Sequence, residues 1–289
     1  MHLIGTVEMI GAFAEEEIVL EIEKTYFEGL AAFCASFPGI HRKQEPGMIT
    51  YATGLPLPML NGILGAGFSG GELELKIKTA MAPFEEGGLP MMWALGPSTS
   101  KELDGCLEAQ GLTLESVAPG MALDLVDLER RPLPPGLDIQ VVEDMGSLEA
   151  CIDITGHVFG IPEDAMGGWG DIIRGYGLGP PHRWFLGCLD GKPISASLLV
   201  QHEKVAGIYN VATLKEARGR GVGSAMTRVP LLSAKDAGYG VAVLEASEMG
   251  RPIYEKLGFK KLCEFRIFTW SPGDPGPHSI ERERNQKLK

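Results

Sequence analysis

The order of strand-like and helix-like segments after residue 136 limits the folds that this chain can adopt. Alternating apolar residues predict a strand in LDIQVVE, and helical spacing follows in SLEACIDITGHVFG. Two further strands, HRWFLGCLD and KPISASLLVQ, meet at an Asp-Gly pair, a strong hairpin signal. A strand, helix, strand, helix and strand follow in VAGIYNVATL, VGSAMTRVPLLSAKDAG, YGVAVLEAS, MGRPIYEKLG and KKLCEFRIFTW. The order β-α-β-β-β-α-β-α-β predicts a mixed sheet with helices on its faces.

A proline-rich stretch predicts a domain boundary. Residues 128–139, LERRPLPPGLDI, place three prolines and a glycine after paired arginines, which is typical of a linker. At roughly 150 residues per domain, a chain of 289 residues fits two domains. We predict one domain over 1–134, a second over 135–275 and a polar tail over 276–289.

The end of the first half repeats the pattern at the end of the second. In LPMMWALGPSTSKELDGCLEAQGLTLESVAPGMALDL a strand, a helix ending at glycine and another strand follow one another. Alignment with the end of the second half places EAQGL on EKLGF. Two copies of one architecture explain this pattern, and so does a coincidence of two α/β halves.

Charge is distributed unevenly along the chain. The net charge is −12, and residues 1–134 carry 8 Lys and Arg against 19 Asp and Glu. Such an acidic half repels the phosphate backbone, so no nucleic-acid partner is expected. It suits a cationic substrate, but a solvated acidic face on the helix AEEEIVLEIEKTYFE explains it as well.

Cysteine and histidine spacing predicts neither a disulfide framework nor a metal site. The five cysteines are widely spaced without a C-x-x-C pair, as expected for small buried apolar residues. The six histidines show no ligand spacing, so no metal is expected. No signal segment and no run of about 18 to 20 apolar residues is visible, which predicts a cytoplasmic protein without a membrane partner.

The stretch EARGRGVGSAM, residues 216–226, indicates a phosphate-binding loop. It is no P-loop, because no lysine follows the glycines, and the glycine spacing does not give G-x-G-x-x-G. What remains is R-x-x-G-x-G between a strand and a helix. Glycines let the backbone approach a ligand closely, and the following helix adds its positive N-terminal dipole. The loop therefore predicts a pyrophosphate cradle.

With its neighbours, this loop resembles a known family. VATLKEARGRGVGSAM, followed about 20 residues later by LEASEMGRPIYEKLGF, resembles the acyl-CoA cradle and C-terminal signature of the GNAT superfamily of N-acetyltransferases. The resemblance covers residues 137–270 and implies an α/β (α+β) fold with a mixed, mostly antiparallel twisted sheet flanked by helices. The N-terminal half resembles the degenerate copy of two-domain members, without a CoA site.

The resemblance implies which residues bind acetyl-CoA and which act on it. The pantetheine arm is expected along Val211, Ala212 and Thr213, and Ser247 is expected to contact the cofactor. Tyr254 matches the family's general acid, although a packing tyrosine fits that position too. Ser247 also fits a plain helix N-cap. The pyrophosphate is expected on the cradle residues Arg218, Gly219, Arg220, Gly221, Val222, Gly223 and Ser224.

Acetyl transfer to an amine also needs a group that takes the amine proton. Glu245 is predicted as the base because it is an acidic residue within an apolar strand, which is expected to be functional or ion-paired. Glu203, His202 and a chain of waters are the alternatives. Trp169, between glycines in a predicted mobile loop, is a candidate for contact with the substrate. Trp93 is expected in a core.

The sequence thus predicts an acyltransferase that moves an acetyl group from acetyl-CoA to a primary amine of a small molecule. The alternatives are a protein or peptide N-terminal acetyltransferase and a non-catalytic acyl-CoA-binding regulatory protein. In the aligned first half Leu107 falls opposite Tyr254, which predicts one CoA site per chain. The protein is expected as a monomer or homodimer.

Overall fold

The computed structural model describes residues 9–10, 13–67 and 72–273. The predicted polar tail, 276–289, and residues 68–71 of the glycine segment before the second helix lie outside them. In the described residues there are seven α-helices, which are α1 (Glu15–Ala35), α2 (Leu73–Gly87), α3 (Glu102–Ala109), α4 (Met145–Phe159), α5 (Met166–Tyr176), α6 (Val222–Asp236) and α7 (Arg251–Leu257).

The same residues form thirteen strands, which are β1 (Met9–Ile10), β2 (Phe13–Ala14), β3 (His41–Glu45), β4 (Met48–Ala52), β5 (Asn61–Gly65), β6 (Met91–Leu95), β7 (Thr113–Asp124), β8 (Leu137–Val141), β9 (His182–Leu189), β10 (Lys192–Gln201), β11 (Ala206–Thr213), β12 (Val241–Glu245) and β13 (Lys260–Trp270). From β8 onward the order is the predicted one with one addition. Helix α5 occupies the segment around Trp169 that was predicted to be a mobile loop.

The chain forms two compact units that are not consecutive stretches. Unit 1 comprises Met1–Gly29 and Pro119–Cys263, and unit 2 comprises Leu30–Ala118 and Glu264–Lys289. The predicted bounds 1–134 and 135–275 stay predictions. In unit 1 the end of β7 pairs with β12, and in unit 2 the end of β13 pairs with β6. Strand β7 follows the short helix α3 in the first half of the sequence, and β13 follows the short helix α7 in the second half. Each unit is therefore completed by a strand from the other half of the sequence.

Unit 1 is built on a sheet in the order β7-β12-β11-β10-β9-β8. Only β11 and β12 are parallel, and the other neighbours are antiparallel. Helix α6 covers one face with an apolar cluster that includes Phe185, Ile208, Met226 and Leu244. Helix α4 also packs against β9, β10 and β11, and since its residues are not part of that cluster, it covers the opposite face.

Unit 2 contains the strand order β3-β4-β5-β6-β13, with β5 and β6 as its parallel pair. Its core includes the buried side chains Phe84, Trp93, Leu107 and Phe268. A parallel pair next to antiparallel strands, followed by a short helix, thus occurs in both units. The mostly antiparallel, helix-flanked fold predicted from the sequence is confirmed.

A fully buried amide organises the loop before β5. The Asn61 side chain accepts hydrogen bonds from the amides of Thr53 and Gly54, both at 3.0 Å. It donates to the carbonyls of Leu55 at 2.7 Å and of Leu57 and Pro90 at 3.1 Å. One residue therefore satisfies backbone groups that burial would otherwise leave unpaired.

No helix in the described part of the chain combines the length and apolar character needed to cross a bilayer. All five cysteines are free thiols, and Cys34, Cys151 and Cys263 are buried. Burial raises the pKa of the Cys34 and Cys151 thiols to about 12, so both stay protonated.

Candidate active site

The parallel strands β11 and β12 separate after a short stretch of pairing. Their paired residues are Ala206 with Ala242 and Gly207 with Val243. Beyond these pairs β11 continues to Thr213 and β12 to Glu245. The two strands therefore enclose a cleft lined by unpaired backbone and by the side chains of both strand ends.

A β-bulge shapes the β11 side of this cleft. Leu198 pairs with Tyr209 and Ala196 pairs with Ala212, so β11 carries one extra residue between these points. Asn210 adopts a φ of 49°, in the left-handed region that is uncommon for residues other than glycine. The bulge re-aims the chain just before Val211, the first residue predicted to contact the pantetheine arm.

The remaining two pantetheine residues are fixed by neighbouring side chains. The Ser195 hydroxyl donates to the Ala212 carbonyl at 2.5 Å and lies 2.8 Å from the Thr213 hydroxyl. Arg218 Nε donates to the Thr213 carbonyl at 3.0 Å. These two carbonyls thus already have partners, and Val211, the third residue of the predicted strand-like contact, lies beyond the last pair with β12.

The glycine loop has the geometry that anion binding requires. Gly219 and Gly221 have φ values of 75° and 79°, and helix α6 begins at Val222 without a side-chain cap. The Ala225 amide donates to the Gly221 carbonyl, and the amides of residues 219–224 make no hydrogen bond to a described residue. A Cβ built on Gly219 would meet nothing within 4 Å. Free amides and open space fit a pyrophosphate.

The basic residues of the loop have different roles. Arg220 and Lys215 are exposed, and Arg218 is exposed while its Nε bonds back to β11. Arg218 therefore holds the loop against the strand end and keeps its positive charge beside the cradle. This charge adds to the helix dipole in attracting a phosphate.

Tyr254 and Ser247 lie together over Gly250. A Cβ at Gly250 would lie 2.8 Å from Tyr254 Cε2 and 3.2 Å from Ser247 Oγ. The Ser247 hydroxyl accepts a hydrogen bond from the Gly250 amide at 3.1 Å. Since α7 begins at Arg251 and Gly250 is its N-cap residue, Ser247 lies in the turn before the helix.

The Tyr254 ring is packed against the α6 cluster, with an edge contact to Phe259 at a centroid distance of 5.9 Å. Burial raises the pKa of its hydroxyl to about 12. Tyr254 is therefore protonated throughout the neutral range, as a proton donor must be. Packing and acid function are compatible at this position.

Strand register places a polar row on the face away from α6. Tyr209 pairs with Leu198, which pairs with Trp184 on its other side, and Gly207 pairs with Val200, which pairs with His182. Directly paired residues share a face, and side chains two apart on a strand do so as well. Glu245, two residues after Val243, therefore lies on the same face as Tyr209, His182 and Trp184.

Glu245 brings a buried carboxyl to this face. The residue as a whole is partly exposed, but both carboxyl oxygens are buried and have no hydrogen-bond partner among the described residues. Burial raises the pKa of the carboxyl well above its usual range. No described side chain ion-pairs with it, so the structural ion pair considered from the sequence is not formed.

Tyr209 is the close ionisable neighbour of Glu245. Its hydroxyl is buried and has no hydrogen-bond partner among the described residues. Burial raises its pKa well above the ordinary value, and the charges of Glu245, Tyr26 and Tyr176 raise it further. Helices α1 and α5 thus contribute two more phenols to the surroundings of the Tyr209 hydroxyl.

His182 presents a defined nitrogen to the same face. Its Nε2 lies 2.6 Å from the Tyr176 carbonyl and must donate a proton to it, because a carbonyl only accepts. The ring stacks on Tyr176 at 3.8 Å, and Nδ1 is buried without a partner in the described residues. Burial lowers the His182 pKa more than the carbonyl bond raises it, which favours the neutral ring.

The alternative base candidates lie at the β10–β11 hairpin. His202 and Glu203 follow Gln201, where β10 ends, and the His202 amide bonds to the Val205 carbonyl at 3.0 Å. Glu203 is exposed. Neither is on a strand end of the cleft, which distinguishes both from Glu245.

The two tryptophans have structural roles. Trp169 is fully buried, donates from Nε1 to Thr155 Oγ1 at 3.0 Å and contacts Phe159 edge-on. It therefore fastens α5 to α4 and does not line an open pocket. Trp93 is fully buried in unit 2, as expected for a core residue.

The described residues of unit 2 form no matching cleft. Its parallel pair β5–β6 stays together through Gly62, Ile63 and Leu64. At the end of β5, Trp93 Nε1 donates to the Gly65 carbonyl at 2.8 Å, so a side chain already occupies the backbone that a ligand would need. Leu107, at the position matching Tyr254, is a buried core residue.

Sequence reasoning missed Tyr209, His182, Tyr26 and Tyr176. The alternation within GIYN and PHRWF places Tyr209 and His182 on one side of their strands, but only the register between strands shows that both sides coincide. Tyr26 belongs to α1, almost two hundred residues away along the chain. No group of three or more His, Cys, Asp or Glu able to hold a metal ion occurs among the described residues.

Comparison with known proteins finds a family and relatives that are similar to this chain. A family described as an acetyltransferase (GNAT) domain matches residues 145–262. Human N-acetyltransferase 8B is 32% identical over 72 residues, which are 24% of this chain and 32% of that protein's length. The chain thus spans about a third of that curated relative.

Two solved structures show the fold over most of the chain. A GCN5-related N-acetyltransferase from Kribbella flavida has a TM-score of 0.69 at 20% identity, covering 91% of this chain and 98% of its own. A tandem GNAT protein from the clavulanic acid biosynthesis pathway has a TM-score of 0.56 at 11% identity, covering 89% and 96%. The second structure agrees with the two-copy interpretation of the sequence.

Proposed function

We propose that this chain transfers an acetyl group from acetyl-CoA to a primary amine of a small molecule, since residues 145–262 match a family described as an acetyltransferase (GNAT) domain. This match supports acetyltransferase activity, and acetyl-CoA is the acetyl donor that GNAT acetyltransferases use. The observation that carries the amine chemistry is the unpaired, buried carboxyl of Glu245 at the β11–β12 cleft.

The donor is held at two places. The free amides of residues 219–224, with Arg218 and Arg220 beside them, bind the pyrophosphate. The β11 backbone at Val211, after the bulge and beyond the last pair with β12, binds the pantetheine arm. Ser195 and Arg218 keep the carbonyls of Ala212 and Thr213 in place, so this edge of the cleft is rigid before the donor binds.

Glu245 and Tyr254 divide the proton chemistry. Amines resembling lysine are charged at neutral pH, with a pKa of about 10.4, and must lose a proton before they attack. Glu245 takes that proton, and the amine nitrogen forms a bond to the acetyl carbon. As the carbon–sulfur bond breaks, Tyr254 gives its hydroxyl proton to the sulfur. The second nitrogen proton restores Tyr254 through solvent, and Glu245 releases its proton to solvent.

The electrostatics of Glu245 fit a base that its substrate activates. Without a partner, burial raises the pKa of the carboxyl and favours its neutral form. A bound ammonium group favours the carboxylate, since an opposite charge at short range lowers a carboxyl pKa. The base is therefore ionised when the amine is beside it.

Two alternatives remain distinct from this proposal. A protein or peptide N-terminal acetyltransferase would acetylate a peptide amine in preference to small amines. A regulatory acyl-CoA-binding protein would bind the donor without turnover.

The cytoplasmic location and the monomeric or dimeric state of the protein also remain predictions.

The proposal is tested in two steps. Thermal denaturation with 1 mM acetyl-CoA should show an increased melting temperature, because a ligand that binds the folded state stabilises it. A panel of small amines and a peptide, followed by CoA release, then separates the three functions. If acetyl-CoA gives no stabilisation, the donor site is wrong, and if only the peptide is acetylated, the small-molecule proposal is wrong.

A further inference from the structure

Buried polar atoms without a partner are concentrated at one place in unit 1. In the described residues such side-chain atoms occur on six residues, and four of these lie on the sheet face away from α6. These four are Glu245, Tyr209, His182 and Trp184. Folded proteins pair nearly all of their buried polar groups, and exceptions occur at functional sites. This face therefore has a hydrogen-bonding capacity that suits a polar ligand.

Glu245 and Tyr209 are placed to act on the same group. They belong to adjacent parallel strands, and each is the second residue after the last pair, Gly207 with Val243. They are thus the first side chains on this face where the strands have separated. A primary ammonium group has three N–H donors. The two carboxyl oxygens and the phenol oxygen provide three acceptor atoms.

The described surroundings are aromatic, and no positive side chain is among the causes of the pKa shifts of Tyr209 and Glu245. The Tyr209 ring lies over Gly207, where a Cβ would be 2.4 Å from Cε2. Tyr26 and Tyr176 are close enough to influence the Tyr209 hydroxyl. The other residues at these register positions are apolar or neutral, namely Leu198, Val200, His182, Trp184 and Val243. Aromatic rings stabilise an ammonium group, whereas a carboxylate would meet no positive side chain among these described residues.

We infer that Tyr209 and Glu245 bind the acceptor as an alkyl ammonium group, with Tyr209 as the residue that positions the nitrogen. This inference rests on the proposed acetyl transfer and adds the class of acceptor, a primary alkylamine without an anionic group. In this site the Glu245 carboxylate pairs with the positive ammonium group and accepts its proton. The Tyr209 hydroxyl holds the nitrogen so that its lone pair faces the cleft.

Two probes of equal chain length test the acceptor class. n-Butylamine and 4-aminobutyrate differ by a carboxylate, and the amine without it is expected to have at least about 10-fold higher kcat/KM, because burying an unpaired charge is costly. Equal values, or a preference for 4-aminobutyrate, would overturn the inference. Such a result would leave the proposed acetyl transfer intact, because both probes would still be acetylated.

Tyr209→Phe tests the positioning role, and Tyr239→Phe is the matched control. Tyr239 packs against the α6 cluster in the same unit and has no place in the polar row. Tyr209→Phe should raise the KM for n-butylamine about 10-fold, as for a lost hydrogen bond to a charged group, while leaving the KM for acetyl-CoA unchanged. Tyr239→Phe should change neither. An unchanged KM for n-butylamine in Tyr209→Phe contradicts the role of Tyr209.

A binding measurement keeps the inference separate from catalysis. Calorimetric titration of n-butylammonium chloride into the CoA-bound protein should give heat of binding, with an affinity about 10-fold lower for Tyr209→Phe. Binding without turnover in the wild type would show that the proposed function fails while the ammonium site exists. Absence of binding in the wild type would overturn the inference itself.

Discussion

The Glu245 carboxyl and the Tyr209 hydroxyl lie on one face of two parallel strands, at the level where these strands have ceased to pair. Both groups are buried and neither has a partner among the described residues. The separation of β11 and β12 that forms the proposed donor cleft therefore also leaves these two buried side chains beside it. In the proposed mechanism, one feature of the sheet thus brings the two substrates together.

Glu245→Gln is expected to lower kcat/KM by about 100-fold or more, the usual effect of removing a general base. In the wild type kcat/KM should rise with pH through the raised pKa of Glu245, above the ordinary carboxyl range. Tyr209 is its ionisable neighbour, and Tyr26 and Tyr176 act in turn on the Tyr209 hydroxyl. The variant should lose this inflection and retain only that of the amine. Steady-state CoA release between pH 5 and 9 measures both effects.

The same substitution should stabilise the unliganded protein at higher pH. A carboxyl whose folded pKa is raised contributes stability fully below its unfolded pKa, and this contribution is lost as the pH rises through the folded pKa. Glu245→Gln carries no such pH-dependent loss. Its advantage over the wild type should therefore grow above pH 4.5, by at most about 1.4 kcal/mol per pH unit.

Calorimetric melting at pH 5 and pH 8 measures this difference between Glu245→Gln and the wild type. A difference that stays constant with pH would mean that the Glu245 carboxyl is solvated in solution. The comparison is made without acetyl-CoA, so that ligand binding does not contribute to the melting temperature.

Tyr254→Phe keeps the ring that packs against Phe259 and removes only the proton donor. We expect kcat to fall at least about 10-fold, while the dissociation constant of acetyl-CoA and the melting temperature stay close to those of the wild type. Stopped-flow or steady-state CoA release gives kcat, and calorimetric titration gives the affinity. If kcat is unchanged, another group protonates the sulfur.

Gly219→Ala should weaken acetyl-CoA binding by about 10-fold. A Cβ at Gly219 meets no atom within 4 Å, but its φ of 75° costs an alanine about 1 to 2 kcal/mol, so the loop is expected to shift. The dissociation constant is measured by calorimetric titration with CoA.

Two glycine controls separate strain from the loss of the cradle. Gly240→Ala introduces a Cβ into open space at an ordinary φ and should change nothing. Gly238→Ala introduces similar backbone strain, at a φ of 95°, after α6 and should lower stability without affecting CoA affinity. Weaker CoA binding in Gly238→Ala would show that strain alone explains the effect at Gly219.

Asn61→Ala is expected to destabilise the protein by about 3 kcal/mol, because it leaves several buried backbone groups unpaired. Urea denaturation measures the effect, with Gln140→Ala, an exposed amide on β8, as the control. A loss below about 1 kcal/mol would mean that water replaces the side chain at this position.

Local sequence specified most of the fold and the glycine loop of the proposed donor site. Hydrophobic periodicity gave the element order after residue 136, and the left-handed φ values of Gly219 and Gly221 are those that a glycine-rich loop adopts. The main wrong prediction was a mobile loop around Trp169, which the glycines of that segment suggested. Burial of Trp169 against Thr155 and Phe159 stabilises helix α5 despite them.

The acceptor side and the composition of the units depended on tertiary structure. Strand register, which places Tyr209 beside Glu245, depends on which strands are neighbours, and alternation along one strand cannot supply it. For the same reason the sequence could not show that β7 ends beside β12 and β13 beside β6. The sequence by itself determined the repeated architecture and the phosphate cradle, since both arise from short-range backbone preferences. Only the tertiary structure decided which distant side chains share a face, because that depends on long-range pairing.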